Sequence, residues 1–328
     1  MPANLPPEYF EVERRYREAK TPAEKIKALE EVLAVIPKHK GTDKLRADFR
    51  RRLSKVKSQQ QTKKATSRRD VGYRIDREGA GQVALIGAPN VGKSALVGAL
   101  TNAAPEVADF HHTTRRPTPG MMPFENIQIQ LIDTPPITRE YMEPWLPDII
   151  RKADVILLVV DVTTDPVQQL EETVALLEEK RIAPLRLAHL HEGRQGWTFR
   201  PVLVVANKND NARAEENFQI FNDLLEDDWP MVTVSASTGH NLELLKQTLF
   251  ERLEVIRVYT KARGKSPDRN APFVLKKGAT VEDLAGKIHK EFVKKFKFAK
   301  LWGNRVYDGQ MIQRDHVLQD GDVVELHL

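Results

Sequence analysis

Residues Gly87-Ala88-Pro89-Asn90-Val91-Gly92-Lys93-Ser94 have the spacing GxxxxGK[ST], and nothing else in the chain restricts its fold as strongly. The glycines let the backbone wrap a phosphate so that successive N–H groups point inward. Lys93 then brings a point charge to the β- and γ-phosphates, and the Ser94 hydroxyl is placed to ligate Mg²⁺. Such a loop works only between a strand and a helix. The apolar run QVALIG (82–87) precedes it and a helix-period segment (92–101) follows it.

The same alternation continues along the chain. Apolar runs recur as IQIQLI (127–132), VILLVV (155–160), PVLVVA (201–206) and MVTVSA (231–236). Helix-period segments lie between and after them at 141–150, 166–181, 212–227 and 240–255. This pattern predicts an α/β domain with a mainly parallel sheet and helices on both faces.

Three further pieces each close an apolar run. Asp133, in LIDTPP, ends a strand where a carboxylate can hold Mg²⁺ through water. Asn207-Lys208-Asn209-Asp210 ends another. A carboxylate at Asp210 can accept from a guanine N1–H and 2-amino group together, and adenine offers neither donor. Ser235-Ala236 ends the last strand, where a backbone N–H can reach guanine O6. Singly, DxxP or NKxD is a weak signal. Four pieces in order at strand ends are a strong one, because ligands of such sheets sit at the strands' carboxyl ends.

Composition excludes several alternatives. The absence of cysteine rules out disulfides, thiolate catalysis and zinc–cysteine sites. The longest apolar run, Val155 to Val160, is far shorter than the ~20 residues of a membrane span. The first residues lack the layout of a signal peptide, so a cytoplasmic protein without membrane attachment is expected. Charge is unevenly spread. By segment the net values are +1 for 1–41, +8 for 42–70, −10 for 71–255, +4 for 256–270 and +2 for 271–328. An acidic nucleotide domain (71–255) thus lies between basic flanks, and polyanion binding is expected on the flanks.

Residues 1–70 read as a helical hairpin followed by a basic linker. Thr21-Pro22-Ala23-Glu24 is a capped helix start; Ile26, Leu29, Val32 and Leu33 follow at helical spacing. Leu45, Phe49, Leu53 and Val56 predict a second helix. Arg50, Arg51, Arg52, Lys55 and Lys57 on that helix are the candidate RNA contacts. Residues 256–270 read as a linker. Residues 271–328 show strand runs FVL (273–275) and VVELHL (323–328) around one helix, Val281 to Phe292, with His289 read as a packing residue.

With these motifs in place, the central region resembles a translation-factor-class GTPase of the Obg/DRG group. Thr114, in HHTTRRPTPG, matches that group's switch threonine, and the match implies a role for it on Mg²⁺ and the γ-phosphate. IPKHKGTDKL (36–45) resembles the N-terminal helical segment of DRG proteins. LKKGATVEDLAGKIH, AKLWG and DHVLQDGDVVELHL resemble a TGS domain, a ubiquitin-like β-grasp module. The resemblance implies a P-loop NTPase fold, binding of GTP and GDP with Mg²⁺, slow hydrolysis of GTP to GDP and phosphate, and a ribosomal RNA, tRNA or ribosome partner. Asn90 stands where related GTPases hold K⁺ beside the phosphates, which makes it the candidate potassium ligand.

Two departures matter. The group's third motif is DxxG, and Pro136 stands at the glycine. That glycine's N–H senses the γ-phosphate in the family, whereas proline has no N–H. Either a neighbouring N–H substitutes or the switch couples weakly to GTP. Ile137 follows, where Ras-like enzymes carry a water-orienting Gln; Obg-type proteins also carry an apolar residue there, so this position departs only from Ras. These two residues favour an alternative reading, a nucleotide-gated RNA-binding module with negligible hydrolysis. Asp210 argues against an ATPase or kinase. His111 and His112 read as loop histidines, Arg115 and Arg116 as loop or partner contacts, and Met121-Met122 as core.

Overall fold

The computed structural model describes residues 8, 11, 12, 14, 15, 22–36, 49–51, 53, 75–101, 117–303 and 306–328. It divides into two compact units, Met1–Gly72 and Tyr73–Leu328.

In the first unit, α1 (Pro22–Val35) buries Leu29 and Val32 on one face. Val12, Ile36 and Phe49 complete that cluster, and Leu33 and Leu53 pack against it. The described residues of the second basic segment are helical, and Arg50 and Arg51 are exposed there. Arg52, Lys55 and Lys57 lie outside the described residues.

The second unit begins with the nucleotide-type sheet. Its strands are β1 (Gln82–Ile86), β2 (Thr118–Phe124), β3 (Ile127–Asp133), β4 (Val155–Asp161), β7 (Val202–Asn207) and β8 (Met231–Thr233). They lie in the order β2-β3-β1-β4-β7-β8. Only β2 runs antiparallel, against β3. Every residue of β4 is buried, as expected of a parallel strand covered on both faces. Alternate side chains divide between the two faces. Val83, Leu85, Leu131, Leu157 and Val205 share one core with α2 (Lys93–Leu100) and α6 (Leu242–Arg252). Ile86, Ile132, Ile156, Leu158 and Val204 share the other with α3 (Leu146–Lys152), α4 (Pro166–Glu179) and α5 (Ala212–Leu224). Local chemistry starts two of these helices: Asp165 caps the chain just before Pro166, and Asn211 accepts the Ala214 N–H.

Strand β2 (TPGMMPF) is absent from the alternating pattern because Pro119, Gly120 and Pro123 interrupt it. It is tolerated at a sheet edge, where fewer N–H donors are needed. Gly120 lets α2 approach closely: a Cβ there would lie 2.9 Å from the Thr101 side chain. Met122 is fully buried and Met121 half-buried. Between α4 and β7 the chain forms a further small element that the apolar alternation does not announce. Strands β5 (Ile182–Pro184) and β6 (Thr198–Arg200) pair in parallel around a 3₁₀ turn, Leu185–His191. There the buried His191 ring stacks on Trp197 at 3.8 Å.

The C-terminal sheet has the order β10-β9-β13-β11-β12. Its strands are β9 (Val255–Thr260), β10 (Phe273–Lys276), β11 (Phe298–Trp302), β12 (Gln310–Ile312) and β13 (Val323–His327). The expected linker at 256–270 is therefore corrected. Its first residues form β9, antiparallel to β10 and parallel to β13, because Ile256 and Val258 bury against Leu284, Leu301 and Val324. The single expected helix is two, α7 (Val281–Ile288) and α8 (Lys290–Lys295). A capping box, Thr280 with Asp283, starts the first. His289 is exposed and caps the second, its ring accepting the Glu291 N–H at 3.3 Å, so it is not a packing residue.

Candidate functional site

Asp133, Asp161 and Asn207 end β3, β4 and β7, and Ser235 follows β8, on the edge of the sheet that carries the loop between β1 and α2. The loop's geometry demands its glycines. Gly87 has φ 146°, and a Cβ on it would lie 2.3 Å from the Val159 carbonyl oxygen. Gly92 has φ 90° and caps α2; its Cβ would lie 2.4 Å from Asn207 Nδ2. Between them Val91 is buried, Ala88 half-buried, and Pro89 and Asn90 exposed, Asn90 with φ 61°. Asparagine tolerates that left-handed conformation better than most residues.

Lys93 is buried, and its Nζ donates to the Gly87 and Ala88 carbonyl oxygens at 3.1 and 2.8 Å. Burial lowers its pKa to about 8, against the opposing pull of the Asp133 charge. Ser94 Oγ donates to Asp133 Oδ2 at 2.5 Å. Burial raises the Asp133 carboxyl, while the Ser94 hydrogen bond, the Lys93 charge and the Thr134 N–H act to lower it. The second oxygen, Asp133 Oδ1, is buried and finds no hydrogen-bond partner among the described residues.

The NKND segment is tied to the same loop. Asn207 Nδ2 donates to the Val91 carbonyl at 2.8 Å, and its Oδ1 accepts the Ala236 N–H at 3.2 Å. One buried amide therefore joins the phosphate-type loop to the Ser235-Ala236 turn. Lys208, with φ 67°, extends to Asp161 Oδ2 at 2.6 Å. Burial pushes the Asp161 carboxyl up, but hydrogen bonds from Lys208 and Thr163 outweigh it and hold the group below its usual range. Asp210 is exposed at the rim and accepts from the Ser235 and Ser237 hydroxyls at 2.5 and 2.9 Å. The Thr238 N–H donates back to Ser235 Oγ at 2.9 Å, which fixes the turn.

The loop, Asp133, Asn207, Lys208, Asp210, Ser235 and Ala236 thus gather on one edge. Thr114, His111, His112, Arg115 and Arg116 lie outside the described residues. Sequence reasoning missed Asp161, which orients Lys208, and Ser237, which shares Asp210. The signal for Asp161 was present, a carboxylate directly after VILLVV. A surface groove of about 850 Å³ lies elsewhere, among Phe124, Glu125, Leu244, Phe250 and Arg257.

No helix among the described residues is long and apolar enough to cross a membrane. Comparison with known proteins bears on the same geometry. Residues 82–208 match the family described as 50S ribosome-binding GTPase, and residues 256–328 match the TGS domain. An uncharacterized GTP-binding protein of Methanocaldococcus jannaschii is 31% identical, covering 92% of this chain and 92% of its own. Developmentally-regulated GTP-binding protein 2 of Homo sapiens is 27% identical over 92% of this chain and 98% of its own. Ribosome-interacting GTPase 1 of Saccharomyces cerevisiae is 26% identical over 93% and 99%. With a P-loop α/β domain joined to a TGS sheet, the chain belongs to the family of GTP-binding proteins that includes these developmentally-regulated GTPases.

Proposed function

We propose that the protein hydrolyses GTP slowly to GDP and phosphate and works as an RNA- or ribosome-associated switch. The observation that carries the reading is the joining of Lys93, Ser94 and Asp133 to Asn207 and Asp210 along one strand edge, with Asn207 bridging loop and base motif. Asp210 accepts from guanine N1–H and the 2-amino group. Lys208 lays its stem against the base while Asp161 holds its ammonium. The Ala236 N–H, which donates to Asn207 Oδ1 at 3.2 Å in the free site, would turn to guanine O6.

At the phosphates, the N–H groups of 87–94 surround the β-phosphate, and Lys93 leaves its two carbonyl partners to donate to the β- and γ-oxygens. Mg²⁺ fits the adjacent pair: Asp133 Oδ1 is a buried oxygen without a partner among the described residues, and Ser94 supplies a second hard ligand. Ser94 and Asp133, with Thr114, would hold it. Bound there, the ion neutralises charge on the transferring phosphoryl group. Asn90, at the exposed crest of the loop, is the proposed K⁺ ligand. Ile137 is buried in the apolar core and offers no polar group to orient a water, which is the basis for slow turnover. It also supports the second reading, a nucleotide-gated RNA-binding module with negligible hydrolysis.

Support for an RNA partner comes from the net +8 of residues 42–70 and from the similarity to the yeast ribosome-interacting GTPase. Single-turnover GTP hydrolysis with and without ribosomes, paired with co-sedimentation under GDP, GTP and a non-hydrolysable analogue, tests the proposal. Nucleotide-dependent pelleting and accelerated turnover are expected. Pelleting without turnover would favour the second reading, and neither would remove the switch role. Replacing Arg50, Arg51, Arg52, Lys55 and Lys57 by Gln should flatten the salt dependence of pelleting, whose log–log slope is about −0.7 to −0.9 per phosphate contact.

A further inference from the structure

The segment after Asp133 forms a wall beside the loop, meeting it at the Gly87 carbonyl that Lys93 also uses, and the backbone donors of its last three residues can be accounted for. The Thr134 N–H lies next to the Asp133 carboxylate and acts to lower its pKa. Pro135 and Pro136 have no N–H to give. The Ile137 N–H donates to the Gly87 carbonyl oxygen at 3.1 Å. That carbonyl also holds Lys93 Nζ at 3.1 Å, so lysine and wall share one acceptor.

Both ends of the wall are anchored. The Thr134 hydroxyl, itself buried, donates to the Leu85 carbonyl of β1 at 2.5 Å. The Ile137 side chain is 3% exposed and belongs to the core cluster that contains Trp145, Leu146 and Ile149. The sequence left two alternatives for Pro136, a substitute N–H or weak coupling. The neighbouring N–H is already occupied by the loop's own first residue. To free it, the Ile137 side chain would have to leave its apolar pocket.

We infer that Pro135 and Pro136 leave this wall unable to read the γ-phosphate, so residues 134–137 hold one conformation in both nucleotide states. The inference rests on the guanine-nucleotide reading above. Discrimination between GTP and GDP then falls to the loop, to Lys93 and to the ligands of the metal. Release of Lys93 from Gly87 on phosphate binding leaves the Ile137 bond to that carbonyl in place.

The experiment measures affinities of the full chain for GDP and for the non-hydrolysable analogue GMPPNP in Mg²⁺, with ATP as competitor. Wild type, Pro136→Ala and Pro136→Gly are compared. Either substitution restores an N–H, and a hydrogen bond from it to a charged oxygen should tighten GMPPNP by roughly 10–100-fold. GDP affinity should change less than about 2-fold, because GDP has no γ-phosphate. Amide hydrogen exchange on the wild type supplies a readout independent of any variant. Ile137 should exchange at the same rate with GDP and with GMPPNP. A change in Ile137 protection between the two nucleotides, or unaltered GMPPNP affinity in both variants, would overturn the inference. Equal competition by ATP would instead overturn the guanine reading beneath it.

Discussion

Replacing Gly92 by alanine asks whether the loop and the NKND strand end are held as one unit. Gly92 sits at φ 90°, in the left-handed region, where a side chain costs roughly 1–2 kcal/mol. The added Cβ would also lie 2.4 Å from Asn207 Nδ2. Asn207 is 2% exposed and anchored by bonds of 2.8 and 3.2 Å, so it has no free path of retreat. Moving it leaves the buried amide or the Val91 carbonyl unsatisfied, at about 1–3 kcal/mol. The expected loss is about 2–5 kcal/mol, a large part of the ~5–15 kcal/mol that holds a domain. Urea unfolding of the nucleotide-free protein measures it, and a fluorescent GDP analogue follows the site. Asn207→Ala removes the obstructing amide, so in the double variant the clash disappears and only the left-handed cost remains. The two substitutions should therefore cost less together than the sum of each alone, by about 1–3 kcal/mol. A Gly92→Ala protein within ~0.5 kcal/mol of wild type, or strict additivity with Asn207→Ala, would refute the bridge as a structural link.

Asp210→Asn should weaken GTP and gain xanthosine triphosphate, whose 2-oxo group needs a donor; competition binding with the two nucleotides checks this. Hydrolysis should run faster in KCl than in NaCl, with the difference lost in Asn90→Ala, and equal rates in the two salts would remove potassium from the site. Arg257 joins the hairpin tip at Glu125 to Asp320 through Nε and Nη2 at 3.0 and 2.7 Å, and lies over the Phe250 ring. Its replacement by alanine should cost about 1–3 kcal/mol, allowing for the partial exposure of both carboxylates. Burial pushes the Asp320 carboxyl up, yet the Arg257 hydrogen bonds prevail and hold it below its usual value. A depressed carboxyl contributes its stability in full above its unfolded pKa of about 3.9 and loses it as pH falls through the lower folded value. The stability gap between wild type and Arg257→Ala should therefore be flat from neutral pH down to about 5 and narrow below about 4; a gap that widens on acidification would contradict the assignment.

What the sequence determined by itself was whatever is written in local pattern. The parallel strands were legible because a strand covered on both faces must be apolar throughout, as Val155 to Val160 is. The loop was legible because its chemistry depends on eight adjacent positions, Gly87 to Ser94, and Asp133, Asn207 and Asp210 because each closes such a run. Tertiary structure decided the rest. Strand β2 carries two prolines and a glycine, and only pairing with β3 at a sheet edge makes it a strand. Val255 to Thr260 reads as the end of one domain or the start of a linker until β10 and β13 flank it. The parallel pairing of Ile182–Pro184 with Thr198–Arg200 has no local signature. The links that make one site or one body of these parts span long distances in sequence: Asn207 to Val91, Ile137 to Gly87, Arg257 to Glu125. Periodicity and motif spacing report what a residue does to its own few turns of chain. Which donor meets which acceptor across a hundred residues depends on where the packed cores bring separate segments, and an amide such as that of Ile137 looks free in the sequence until the fold assigns it a partner.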